Sequence, residues 1–254
     1  MKVICLFALQ LTLLGNFCFA GPLIKGDIVK VEQSGFGGAS GGGEFVLSKL
    51  IAPNSWEFAG KTFCLELNES FAAGEELIVG GVGNRAVFGG NNTQLGDPLS
   101  NRTKNVFASF SNGTLNSSVP GYSYNDTPSA NALQEAIWKL EGERSSPLSQ
   151  LAKDLMSWSS TAANSSVFAL NLFAKNTPDA AIAAFNQLDS STWAAVYGYQ
   201  KQDLLYTRAL VPEPTSIAIF LIGLGCAGTA RLRSSRRKAK NSKTAQESLA
   251  CSAA

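Results

Sequence analysis

Cys64, in Phe63-Cys64-Leu65-Glu66-Leu67, and Gln134, in Leu133-Gln134-Glu135-Ala136-Ile137-Trp138, are the two residues whose types and settings suggest reactivity. A lone thiol in an exported protein is a liability. An oxidising compartment scrambles or caps it unless it is buried or committed to another bond. A glutamine amide is one available partner for such a bond. The other four cysteines, Cys5, Cys18, Cys226 and Cys251, fall in terminal segments, so no internal disulfide is expected in between. The chain contains no histidine, which excludes Ser-His-Asp and Cys-His catalysis and histidine metal sites. No pair of carboxylates stands out by spacing. A hydrolase is disfavoured, the protein is not expected to be an enzyme, and neither a cofactor nor a metal is expected.

The lone-thiol argument requires export, and both ends of the chain carry its marks. Met1-Lys2 starts positive, Val3 to Leu14 is apolar, and Cys18-Phe19-Ala20 gives a small-x-small cleavage pattern. Residues 1–20 therefore read as a secretory signal peptide. At the other end, Pro212-Glu213-Pro214 precedes an apolar stretch from Ser216 to Ala230. Arg231, Arg233, Arg236, Arg237 and Lys238 follow it. The stretch is short for a spanning helix, and its basic flank would hold the tail on the cytoplasmic side. This order of parts resembles the PEP-CTERM sorting signal of exopolysaccharide-producing Gram-negative bacteria. The resemblance implies an exosortase as processing partner, transient anchoring in the inner membrane, and delivery to the cell surface or extracellular matrix. Residues 211–254 are read as that signal.

Between the two signals charge and composition change. Residues 21–214 hold 13 Lys and Arg against 18 Asp and Glu, a net charge of −5, whereas the whole chain carries +2. A basic nucleic-acid reader is disfavoured. Seven Asn-x-Ser/Thr sequons, at Asn68, Asn91, Asn101, Asn112, Asn116, Asn125 and Asn164, are best read as chance in an Asn/Ser/Thr-rich bacterial chain.

Residues 21–210 must position Cys64 and Gln134. Patterning predicts strands at Leu23–Val31, Glu44–Ile51, Phe63–Leu67, Val167–Phe173 and Leu204–Leu210. It predicts a hairpin from Glu76–Val82 to Arg85–Phe88, and a glycine-rich loop over Ser34–Gly43. Asn91–Tyr124 reads as loops with a weak strand. Helices are predicted at Pro128–Glu141, Pro147–Trp158 and Pro178–Leu188. For the first of these, Thr127 is the expected cap, Pro128 suits the first turn and Gly142 ends it. The fold class is α+β, a β core with an inserted group of about three helices, flanked by the signal peptide and the C-terminal sorting helix.

Alternation in the Cys64 strand puts Phe63, Leu65 and Leu67 on one face and Thr62, Cys64, Glu66 and Asn68 on the other, so Cys64 lies off the evident apolar side. On the helix, Ala130, Leu133, Ile137 and Leu140 form an apolar stripe, and Gln134 projects within the covered arc. A buried amide needs partners or a chemical reason to be there. Apolar–Cys–aliphatic followed by apolar–Gln–x–x–apolar resembles the thioester domains of bacterial surface adhesins. The resemblance implies that the Cys64 sulfur joins the Gln134 side-chain carbonyl with loss of ammonia. The product is an internal thioester that acylates an amine on a target surface.

In that reading the thiolate is the nucleophile, positioned against one amide. Phe63 and Trp138 slow hydrolysis by excluding water. Without histidine, aminolysis is direct, with Glu66 a candidate helper whose simpler role is a solvent-facing strand carboxylate. The partners expected are amine-bearing surface or matrix targets, with exopolysaccharide as a further associate. Two alternatives stay open: an inert buried thiol beside a satisfied amide, and a non-covalent structural or exopolysaccharide-associated matrix protein. Trp138, Trp158 and Trp193 read as core or edge aromatics.

Overall fold

The structure, a computed structural model, describes residues 21–37, 42–87, 96–145, 147–186 and 198–208. The expected signal peptide, the sorting signal with Pro212, Glu213 and Pro214, and Trp193 lie outside the described residues. Among the described residues no helix is long and apolar enough to cross a membrane.

The domain is α+β, with a sheet of antiparallel pairs as its core. Its strands are β1 (Ile28–Gly37), β2 (Gly43–Ala52), β3 (Ser55–Thr62), β4 (Glu76–Gly83), β7 (Val167–Ala174) and β8 (Leu204–Thr207), in the order β3-β2-β1-β4-β7-β8. β5 (Arg85–Ala86) and β6 (Asp97–Pro98) form a separate small pair. The described helices are α1 (Asn101–Ser111), α2 (Leu115–Ser118), α3 (Thr127–Leu140), α4 (Gln150–Trp158) and α5 (Asp179–Asn186).

One face of the sheet is built at period two from successive strands. Val29 and Val31, Phe45 and Leu47, Leu77 and Val79, Leu170 and Leu172, Leu204 and Tyr206 join one buried apolar cluster with Cys64 and Trp138. The opposite side carries a second cluster. There Phe63, Leu65, Val167, Ala169 and Leu205 meet Val106, Phe107 and Phe110 of α1, Leu133 and Ile137 of α3, and Leu155 of α4. Phe63 and Phe110 pack edge to face, 5.0 Å between ring centroids.

The two ends of the strand order meet. Beyond β3 the chain continues as Phe63-Cys64-Leu65 and reaches β8. Cys64 forms an antiparallel bridge with Leu204. The Leu205 amide donates to the Phe63 carbonyl at 3.0 Å, and the Leu65 amide to the Asp203 carbonyl at 2.9 Å. The Thr62 hydroxyl donates to the Leu205 carbonyl at 2.6 Å. The sheet therefore curls so that the continuation of β3 meets β8, which pairs part of the otherwise open β8 edge. Cys64 sits on this seam.

Several expectations change. Phe63–Leu67 is a bridge rather than a regular strand. Arg85–Ala86 pairs with β6 and not with β4, so the expected hairpin around Gly83-Asn84 is absent. The glycine-rich Ser34–Gly43 segment is partly strand: β1 runs to Gly37 and β2 begins at Gly43. β3, with Pro53-Asn54 at its entry turn and Asn54 at φ 60°, was not anticipated. Asn91–Tyr124 contains α1 and α2 besides the short strand β6. Ser100 caps α1 through the Thr103 amide at 3.1 Å, and Thr103, Val106, Phe107 and Phe110 bury one face. α3 falls close to its expected span, with Asp126 rather than Thr127 as the cap.

Candidate functional site

α3 is the element that carries Gln134 to the seam. Asp126 accepts from the Ser129 amide at 3.0 Å, Pro128 occupies the first turn, and Gly142 at φ 81° follows the last. The helix packs on β1, β2 and α4. Two adjacent stripes of it are buried. Leu133 and Ile137 face the helical cluster. Trp138, 2 % exposed, enters the sheet cluster. Gln134 lies on the same stripe as Trp138, one turn earlier, and is fully buried.

Every polar atom of the Gln134 amide is engaged at the seam. Oε1 accepts from the Cys64 backbone amide at 3.1 Å and from the Gly43 backbone amide at 3.0 Å. Nε2 donates to the Cys64 carbonyl at 2.8 Å. The carboxamide thus pairs with both backbone groups of the residue whose thiol would attack it. Leaving one such buried group unsatisfied would cost about 1–3 kcal/mol. Two N–H donors converging on one carbonyl oxygen also form the arrangement that stabilises a tetrahedral oxyanion at the attached carbon.

The second donor depends on a glycine pair that sequence patterning left in a loop. Gly43 adopts φ 125°, a region that side chains rarely enter. Gly42 lies beneath α3. A Cβ placed on it would come within 2.6 Å of the Trp138 ring and 2.9 Å of Gln134 Cγ. The signal that could have found them is the run of glycines itself, since close backbone approach is one of the few reasons to place consecutive glycines before a strand.

Cys64 is 4 % exposed and has no disulfide partner. Burial pushes its thiol up to about 12, because desolvation disfavours the thiolate. It opens onto a cavity of about 290 Å³, whose walls include Gly42, Phe45, Leu67, Phe71 and Trp138. Glu69 is the one charged side chain among the described lining residues. Within the wall, Glu69 Oε2 and Trp138 Nε1 are buried without a hydrogen-bond partner.

Behind the cavity stands a group of carboxyls that sequence patterning did not assemble. Glu66, Glu69 and Asp203 bring carboxylate oxygens within 4.8 Å of one another. Glu66 is 1 % exposed, so the expected solvent-facing role is overturned: the seam buries both sides of Phe63–Glu66. Glu66 Oε2 accepts from the Asp203 amide at 3.2 Å, and Gln202 Nε2 donates to the Glu66 carbonyl at 2.7 Å. Burial, then the charges of Asp203 and Glu69, holds the Glu66 carboxyl well above its ordinary range. Burial and Glu69 do the same to Asp203, opposed by the donors Val87, Asn171 and Leu172. Glu69 is raised by burial and by Glu143, and its hydrogen bond with Glu66 works in the other direction. That bond raises Glu66 and opposes the rise of Glu69, so the two carboxyls titrate together, both above the ordinary carboxylate range.

The two residues singled out for chemistry, Cys64 and Gln134, are thus in direct hydrogen-bonded contact, while the sorting residues lie outside the described chain. No family model, curated protein or solved structure matches this chain.

Proposed function

We propose that this is an exported surface or matrix protein whose domain forms an internal thioester between Cys64 and Gln134 and uses it to attach covalently to amine-bearing partners. The observation that supports this most is the clamp on the Gln134 carboxamide, with Oε1 between two backbone amides and Nε2 on the Cys64 carbonyl. In thioester formation sulfur attacks the Gln134 Cδ, and the oxyanion on Oε1 is held by the Gly43 and Cys64 amides. The thiol proton passes to Nε2, which departs as ammonia. In attachment an amine attacks the same carbon, the C–S bond breaks, and Cys64 regains a thiol. The same donors serve both steps because charge develops on the same oxygen. Export and exosortase sorting through Pro212-Glu213-Pro214, with transient inner-membrane anchoring by the apolar stretch beyond it, are part of the proposal and rest on the sequence.

Intact mass of the purified mature protein is the test. The wild type is expected to be lighter than its sequence by one ammonia and to show no titratable thiol. Methylamine should add to Gln134 and expose the Cys64 thiol together. Gln134→Ala should have its full sequence mass. A wild type of full mass with a titratable Cys64 sinks the covalent reading. The same hydrogen bonds then describe a satisfied amide beside an inert thiol, and a non-covalent, exopolysaccharide-associated matrix role becomes the better one.

A further inference from the structure

An amine meeting the thioester at neutral pH arrives as an ammonium, which has no lone pair to attack with. It must first be recognised as a cation and then deprotonated. Among the described residues that line the cavity beside Cys64, one is charged and suited to this, Glu69. Glu69 is tied to Glu66 on one side, and its Oε2 is buried with no hydrogen-bond partner. The other charged groups felt by Glu66 and Glu69, namely Asp203 and Glu143, are also acidic. The wall around it combines the aromatic Phe45, Phe71 and Trp138 with the uncharged polar Gln33, Asn68, Ser70 and Gln202, so Glu69 is the group that an ammonium would pair with.

We propose that Glu69 is the residue that selects a primary ammonium, such as a lysine side chain, and moves its protons during aminolysis of the Cys64–Gln134 thioester. This rests on the thioester reading above. The balance is as follows. The ammonium gives one proton to the Glu69 carboxylate, which passes it to solvent. The free amine attacks the Gln134 acyl carbon. As the C–N bond forms and the C–S bond breaks, the nitrogen sheds a second proton. Glu69, ionised again, carries that proton to the Cys64 sulfur, and the third stays on the amide nitrogen. Protonating the sulfur matters here because its burial makes a bare thiolate a poor leaving group. Glu66, whose carboxylate oxygen lies within 4.8 Å of that of Glu69, acts as a positioning residue that holds Glu69 at the cavity wall.

The experiment compares two nucleophiles on loaded, full-length mature protein at near-neutral pH. Methylamine is cationic there and hydroxylamine is neutral. Thiol release is followed by mass and by a thiol reagent. Glu69→Gln is expected to keep the mass deficit of one ammonia, to lose on the order of 10²-fold in rate with methylamine, and to lose clearly less with hydroxylamine, which skips the first deprotonation and needs only the proton transfer to sulfur. Glu69→Asp should recover part of the methylamine rate. Equal slowing with both nucleophiles, or no slowing with either, overturns the assignment while leaving the thioester intact. So does a Glu69→Gln protein that never loses ammonia, since the carboxylate would then serve thioester formation instead. A wild type without the mass deficit is a different failure, that of the thioester itself.

Discussion

Gln134 and Gly42 show how closely the chemistry depends on single atoms. The Gln134 amide has three partners and no room to turn, so its carbonyl oxygen has one orientation. That orientation survives only while the chain beneath carries no side chain at Gly42. Gly42→Ala would drive a methyl group into the Trp138 ring and the Gln134 stem, both buried. Overpacking of this kind costs about 1–3 kcal/mol. The expected outcome is a folded protein with a lower urea midpoint and little or no ammonia deficit, read by denaturation and intact mass on one sample. A fully loaded Gly42→Ala protein would show that the close approach is dispensable.

At the level of elements, the join between Phe63–Leu65 and β8 is where the buried carboxyls gather, and it makes stability depend on pH in an unusual sense. The Glu66, Glu69 and Asp203 carboxyls are raised above their ordinary values of 4.5, 4.5 and 3.8. The native state therefore holds protons that the unfolded chain has released, and stability from this group falls as pH rises through the raised values. Glu141 shifts the same way. Glu75, lowered with Lys201 and its bond to Ala72 acting against burial, loses its contribution only below 4.5. Urea midpoints should thus rise from about pH 8 to about pH 5, and Glu66→Gln should flatten the slope. A wild-type midpoint that climbs towards pH 8 would contradict the cluster. The sequence hinted at this join only in part. Gln134 was legible because an amide inside an apolar arc clashes with its helix pattern, and Cys64 because it alternates away from Phe63 and Leu65, although its own side proves apolar as well. Glu66 was not, because alternation assigns one side of a strand to water, and only the curling of the sheet buries both. α1 was hidden by its Asn, Ser and Thr content, since a helix with a cap and four apolar contacts needs tertiary packing to declare itself. β3 was hidden because Ser55–Thr62 carries Glu57, Gly60 and Lys61, which dilute a strand pattern.

For the molecule as a whole, the proposed sorting acts beyond the described domain. Replacing Pro212 and Pro214 with Ala is expected to leave precursor of full C-terminal length in the inner membrane, seen by fractionation and mass. Normal processing of that variant would remove the sorting assignment and leave the domain chemistry untouched. The domain and the tail are linked through β8, which ends at Thr207. Under the proposed function, and while the tail is still anchored, Gln134 would be the point held by the target and the chain after Arg208 the point held by the cell. Aminolysis cuts the Cys64–Gln134 link in the same event that fastens the target, so no covalent shortcut then spans the two grips. Traction must run along the strand nearest the anchor. That strand is flanked by β7 on one side and by Phe63–Leu65 on the other. Pulled along its own length, it loads both ladders in shear, many bonds together, instead of peeling them singly. Under the proposed function, the curled sheet would then be the shock-bearing joint of a tether.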